Sequence, residues 1–208
     1  MVKADRKLFV EGGGDSESLH TECRKGFRTF LERAGLKGKM PRIVSCGGRR
    51  QAVDKFLHSI NMGEDAFLLI DSEGKVSEEL ISTEFLSQEF KEFEGKQGLS
   101  DKCHLMVECM EAWFLADTEA LGKYFNPGFD QNKLPKHQSI ESISKENLYK
   151  SLKECTKLTK TKGEYSKGQH SFKILALINP QLVSEASPWA KKFIDSLKGG
   201  VAIQTQGR

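Results

Sequence analysis

The 208-residue sequence has no apolar run long enough to cross a membrane and no apolar signal core near its first residue, so a cytoplasmic protein is expected. Its five cysteines, Cys23, Cys46, Cys103, Cys109 and Cys155, are odd in number and never fall in C-x-x-C spacing. That excludes a zinc ribbon and a disulfide framework, and leaves small core residues of a reduced protein. Gly-Lys-Ser/Thr never occurs, which removes a Walker loop, and a dinucleotide fingerprint begun at Gly12 and Gly14 would need glycine at position 17, where Glu17 stands. No internal repeat is visible. The formal charge of +3 is slight, so basic groups matter only where they cluster.

What is present begins with Leu8-Phe9-Val10-Glu11-Gly12-Gly13-Gly14 and a later Leu68-Leu69-Ile70-Asp71-Ser72-Glu73-Gly74. Each is an apolar run that ends on an acid and breaks into glycine, the pattern of a buried strand handing a carboxylate to a loop. Glu11, Asp71 and Glu73 are therefore expected at the carboxyl ends of neighbouring strands, the edge where open parallel sheets bind ligands. Like charges held close raise one another's pKa unless a cation sits among them. A hard divalent ion, Mg²⁺ or Mn²⁺, suits an all-oxygen donor set. The alternative is that Glu11 pairs locally and Asp71 only opens a turn. Gly12 and Gly13 would let backbone N–H groups approach a phosphate, or simply turn the chain from strand to helix.

Short apolar runs at 8–10, 42–46, 66–70 and 103–107 alternate with helical patterns: one from Asp15 or Ser16 to Ala34, one carrying Val53, Phe56, Leu57 and Ile60, and one over residues 78–93 with an acidic exposed face. Strict alternation implies crossover connections and a mainly parallel α/β sheet with helices on both faces. From Glu108 the strand signals stop. Met110, Trp113, Phe114 and Leu121 suggest a helix broken at Asn126-Pro127-Gly128, and residues 130–144 read as a polar surface loop. Leu148, Leu152 and Cys155, then residues 172–178, then Ser187-Pro188 with Trp189, Phe193 and Leu197, mark three more helices. The expected organisation is an α/β core over 1–123, a helical and loop extension packed on it over 124–198, and a flexible tail over 199–208.

Glu108 and Glu111 form a second acidic group, three residues apart where a strand becomes a helix, so they are expected to share a face toward the carboxyl edge. Glu111 lies within the apolar run 110–115 and needs a partner there, a second metal or a helix-capping role. Arg49 and Arg50 open a helix, against its dipole, a placement that an anion docked there would explain. Lys157, Lys160, Lys162, Lys167 and Lys173 are interleaved with Tyr165 and His170 in a glycine-punctuated stretch suited to a phosphodiester backbone, or to plain solvation.

A strand ending in Glu-Gly followed by a strand ending in Asp-x-Asp or Asp-x-Glu resembles the Toprim domain of primases, of type IA and II topoisomerases and of nucleases of the overcoming-lysogenization-defect (OLD) type. The sequence is most similar to small stand-alone Toprim-like proteins encoded beside ABC-type or AAA ATPases in loci assigned to phage defence. The resemblance rests on 8–17, 67–74, the Glu111-Ala-Trp-Phe-Leu-Ala-Asp117 run within 107–117, and Tyr165-Ser166-Lys167. It implies a Toprim-like, Rossmann-like fold and a Mg²⁺-dependent nuclease acting on DNA or on tRNA or other RNA, with an ATPase partner. By the same resemblance Glu11, Asp71, Glu73 and Glu111 would hold metal, with Glu11 alternatively a general acid or base. Lys167 would stabilise charge on the phosphorane, while the basic residues read above, Arg49, Arg50, Lys160, Lys162 and Lys173, are expected by their placement to bind phosphates. Glu73 stands where the commoner pattern has aspartate. A second implication is a catalytically weak regulatory or binding subunit of an ATPase complex.

Overall fold

The structure, a computed structural model, describes residues 6–136 and 139–199. Strands β1 (Lys7–Val10), β2 (Arg42–Ser45), β3 (Ala66–Asp71) and β4 (Cys103–Met106) form one sheet in the order β2-β1-β3-β4. All three neighbouring pairs are parallel, so every connection crosses over, as the alternating signals require. Helix α1 (Glu17–Leu31) links β1 to β2, α2 (Arg49–Asn61) links β2 to β3, and the short α3 (Ser82–Ser87) lies between β3 and β4. The fold is α/β and Rossmann-like. The chain leaves β1 toward β2 and returns to place β3 on the other side of β1. The β1/β3 junction is thus the topological switch point, where the crevice beyond the strand ends receives ligands in sheets of this kind.

The alternation of side chains along each strand divides the interior in two. Leu8, Val10, Phe67, Leu69 and Met106 face one core with Phe27 and Phe30 of α1. Phe9, Leu68, Ile70 and Leu105 face the other, with Ala52, Val53 and Phe56 of α2. β3, with all six residues buried, reads as a continuous apolar run because both its faces are covered.

After β4, a 3₁₀ segment (Met110–Ala116) leads into α4 (Thr118–Phe125), followed by α5 (Lys145–Thr156), α6 (Lys167–Leu175), α7 (Pro180–Ala186) and α8 (Pro188–Lys198). Ile174, Leu175, Val183, Phe193 and Leu197 join the first core, and α4 runs across the 123/124 boundary drawn from the sequence. The expected tail lies, from residue 200, outside the described residues.

Three expectations about elements need correction. Residues 78–93 do not form one helix: only α3 and a 3₁₀ turn (Lys91–Phe93) are helical. Ser and Thr side chains there compete for backbone groups, as Ser82 Oγ does by donating to the Ser100 carbonyl and Ser87 Oγ by donating to that of Glu84. The helix expected from Met110 is 3₁₀ as far as Ala116, because residues 110–115 are buried all round and leave no solvent face for an amphipathic helix; Asp117 then caps α4 by accepting the Ala120 N–H. Helix α6 starts at Lys167, five residues before the expected Phe172, which places Lys167 on a helix rather than in a loop. Gly168 lies in its first turn, beside Leu19 of α1.

Candidate metal centre

The carboxyl ends of β1 and β3 meet at the switch point. Glu11 follows β1, and its Oε2 accepts the backbone N–H of Asp71 at 3.1 Å. Asp71 closes β3 with 4 % exposure, and its Oδ1 accepts the Met110 N–H at 2.8 Å. Glu73 follows in a left-handed conformation (φ 61°), its N–H donating to the carbonyl of Glu108, itself left-handed (φ 60°). These are the only non-glycine residues with positive φ among those described, and such conformations cost of order 1–3 kcal/mol each. The result is a group of three carboxylates in which one oxygen each from Glu11, Asp71 and Glu73 lies within 4.8 Å of the others.

Burial pushes the Glu11 carboxyl up to about 7, and nearby Glu73 adds to this against the opposing pull of the Asp71 N–H, Arg49 and Lys167. Asp71 is driven well above the usual carboxylate range by burial first, then by Glu111 and Glu11. In both groups the first cause is the loss of water around the carboxyl, and neighbouring carboxylates add to it.

Those cations come from three helices. Arg49, first residue of α2, has Nε 4.0 Å from Glu11 Oε2 and Nη2 2.9 Å from Glu89 Oε2, with its guanidinium over the Phe90 ring. Neither nitrogen is aligned for a hydrogen bond, although both are buried. The charge that opposed the α2 dipole is thus answered by two glutamates of the chain itself. Lys167, at the start of α6, places Nζ 3.8 Å from Asp71 Oδ2. Burial pulls its ammonium down, but Glu111, Asp71 and Glu11 outweigh that, and the net shift is upward. Lys145, at the start of α5, belongs to no motif of the sequence; its Nζ lies 2.6 and 2.5 Å from the two oxygens of Glu73.

Glu111 stands outside the group of three. It is fully buried and accepts from Ser171 Oγ (2.8 Å), Tyr149 Oη (3.0 Å) and Tyr165 Oη (3.3 Å). Three hydroxyls are the partner that its apolar setting demanded. Its negative charge still bears on Asp71 and Lys167. Glu108 diverges from it, since its Oε2 accepts the Lys145 N–H at 3.0 Å and so caps α5. The expected shared face is absent because the 3₁₀ segment and the left-handed turn at Glu108 replace the helix that would have created it.

The glycine loop is more tightly used than its sequence implied. Gly12 and Gly47 exchange N–H···O bonds of 2.8 Å, so the Gly12 amide is already engaged. At Gly13 (φ 95°) a Cβ would fall 2.5 Å from both His20 Nδ1 and Ser45 Oγ. Arg50 points elsewhere, pairing with Asp54 and Glu92. Lys160, Lys162 and Lys173 are exposed, with Lys162 over the Tyr124 ring. A concavity of about 510 Å³, lined by Arg33, Asp117, Tyr124, Leu177 and Leu182 among others, lies apart from the carboxylates.

The profile of one protein family, described as "Domain of unknown function (DUF4276)", matches residues 10–198. The chain belongs to that family. The match runs from the end of β1 to the end of α8 and so contains all three carboxylates, Lys145 and Lys167. No curated protein and no solved structure matches the chain.

Proposed function

We propose that this member of the DUF4276 family is a Mg²⁺- or Mn²⁺-dependent nuclease that hydrolyses phosphodiester bonds in DNA or RNA. The observation that carries this reading is the convergence of Glu11, Asp71 and Glu73 within 4.8 Å at the β1/β3 switch point. The donor set fits a hard divalent cation, since all its ligand atoms are carboxylate oxygens gathered within 4.8 Å. Glu11, Asp71 and Glu73 would hold the ion, which when bound would polarise a phosphoryl oxygen and acidify water.

The chain's own residues supply the rest. Lys167 Nζ beside Asp71 is half exposed and stays charged, so it can meet the negative charge that develops on phosphorus-bound oxygens. Alternatively Glu11, whose oxygen lies in the same group as those of Asp71 and Glu73, serves as the general acid or base. Glu111, held by three hydroxyls, supports Lys167 electrostatically. The order of the acidic motifs supports kinship with the Toprim domain, and with it an ATPase partner and a role in phage defence. The test is incubation with plasmid, single-stranded DNA and total tRNA in Mg²⁺ or Mn²⁺ against a chelator control, with and without the ATPase. No cleavage under any condition would overturn the reading.

One observation favours a second reading, a catalytically weak binding subunit: both oxygens of Glu73 are engaged by Lys145. Binding of the ATPase without metal-dependent cleavage would identify it.

A further inference from the structure

The ion pair between Lys145 and Glu73 joins residues 72 positions apart. Its main-chain setting is fixed on both sides. Ser144 caps α5 by accepting the Asn147 N–H, and Glu108 accepts the Lys145 N–H itself. Glu108 in turn is tied to the Glu73 turn, its N–H donating to Ser72 Oγ at 2.8 Å while its carbonyl accepts the Glu73 N–H at 3.2 Å. The backbone of Lys145 is therefore anchored to the very loop that presents Glu73, and its long side chain is the part free to move. Both ends of the pair reach solvent, with side chains 27 % and 39 % exposed. An ammonium covering both oxygens of a carboxylate occupies the space of a cation there.

We infer that Lys145 is the resident counter-ion of the acidic cluster, displaced from Glu73 by an incoming divalent cation and then used to bind a phosphate of the nucleic-acid substrate. This rests on the metal-dependent reading above. An entering ion takes over Glu73, and the released ammonium stays beside it, tethered by α5 and facing whatever anion the ion recruits. Lys145 is thus a substrate-binding residue whose availability depends on the metal. Lys167, whose Nζ lies at 3.8 Å from a single oxygen of Asp71, is not blocked in the same way.

The experiment compares the full-length wild type, Lys145→Met, Glu73→Gln and Asp71→Ala, each checked by circular dichroism. Mn²⁺ is titrated calorimetrically without nucleic acid, and binding of a fluorescent phosphorothioate oligonucleotide is measured with and without Mn²⁺. Removing a partly exposed competing ion pair is expected to tighten Mn²⁺ binding about threefold to fivefold in Lys145→Met. The same variant should bind the oligonucleotide as wild type does without Mn²⁺, and more weakly with it, with a log–log salt slope shallower by about 0.9 for the one phosphate no longer neutralised. Glu73→Gln frees Lys145 without deleting it and should tighten metal-free oligonucleotide binding. Mn²⁺ binding that is normal in wild type and lost in Asp71→Ala but unchanged in Lys145→Met would overturn this inference alone. An absence of Mn²⁺ binding in wild type would overturn the metal-dependent reading and this inference together.

Discussion

The carboxylate of Glu11 accepts the backbone N–H of Asp71 at 3.1 Å, so the end of β1 is locked to the end of β3 by a bond between the two acids most central to the cluster. Glu11 is partly buried there, and the loss of water around its carboxyl has a consequence for stability in the absence of metal.

Glu11 has a folded pKa of about 7 against 4.5 for the free group. Between these values the unfolded chain releases its proton while the folded one keeps it, so this group favours folding below about 4.5 and its contribution falls as pH rises toward 7. The raised Asp71 acts in the same sense, Lys167 moderates both, Arg49 moderates Glu11, and Glu73 reinforces the shift of Glu11. His104, which burial pushes down to about 4 from 6.5, acts oppositely below 6.5. The comparison is therefore between proteins. In chelator, melting temperatures from pH 5 to 8 should fall more, or rise less, for wild type than for Glu11→Gln, and superimposable pH profiles would refute the Glu11 assignment.

Gly26→Ala tests the packing of α1 on α6. An added Cβ would lie 2.6 Å from the Phe172 carbonyl oxygen and 3.1 Å from its Cβ, so the helices must separate, at a cost of about 1–3 kcal/mol. Because Lys167 rides on α6, urea denaturation should show the loss of stability and nucleic-acid cleavage should fall with it. A stability equal to wild type would mean the two helices are less closely engaged than these distances require.

Glu111→Gln keeps the shape but weakens three hydrogen bonds to a buried charge, whereas Glu111→Ala leaves the hydroxyls of Ser171, Tyr149 and Tyr165 without that acceptor. The alanine variant is expected to be the less stable by about 1–3 kcal/mol in denaturant titration. Mn²⁺ stoichiometry should survive in Glu111→Gln, since Glu111 stands outside the group of three. Complete loss of Mn²⁺ binding in a folded Glu111→Gln protein would restore it as a ligand.

Neutralising Lys160, Lys162 and Lys173 together should weaken nucleic-acid binding and flatten its salt dependence by nearly one log unit for each phosphate left without its lysine. Lys167→Ala should instead lower turnover at saturating substrate far more than affinity, because a group acting mainly in the transition state is read in kcat. If both variants change affinity alone, Lys167 is a docking residue.

The sheet and the acid trio were legible because each depends on a short local pattern: β1 and β3 are unbroken apolar runs ending in an acid, and parallel alternation leaves little choice about which ends meet. Lys145 was not legible. Its position is set by Glu108, 37 residues earlier, and its partner Glu73 is 72 away; the polar stretch around it has no period to read. Tyr149 and Ser171 escaped for the same reason, since only the closing of α5 and α6 over Glu111 gives them a role. The start of α6 was hidden by Gly163 and Gly168, which look like loop residues, although the second lies in the first turn of the helix beside Leu19.

Asp71→Ala bears most directly on the nuclease reading, because this side chain is buried, touches Glu11 through its backbone and Met110 through its carboxylate, and approaches Lys167. Removing one of several crowded like charges opposes the cost of stranding the Met110 N–H, so the metal-free protein should remain folded. With purified wild type and Asp71→Ala assayed side by side on plasmid, single-stranded DNA and tRNA in Mg²⁺ or Mn²⁺, cleavage should be present in the first and abolished in the second, with both proteins folded by circular dichroism. Equal cleavage by a clean, folded Asp71→Ala preparation would contradict the assignment of the chemistry to this cluster.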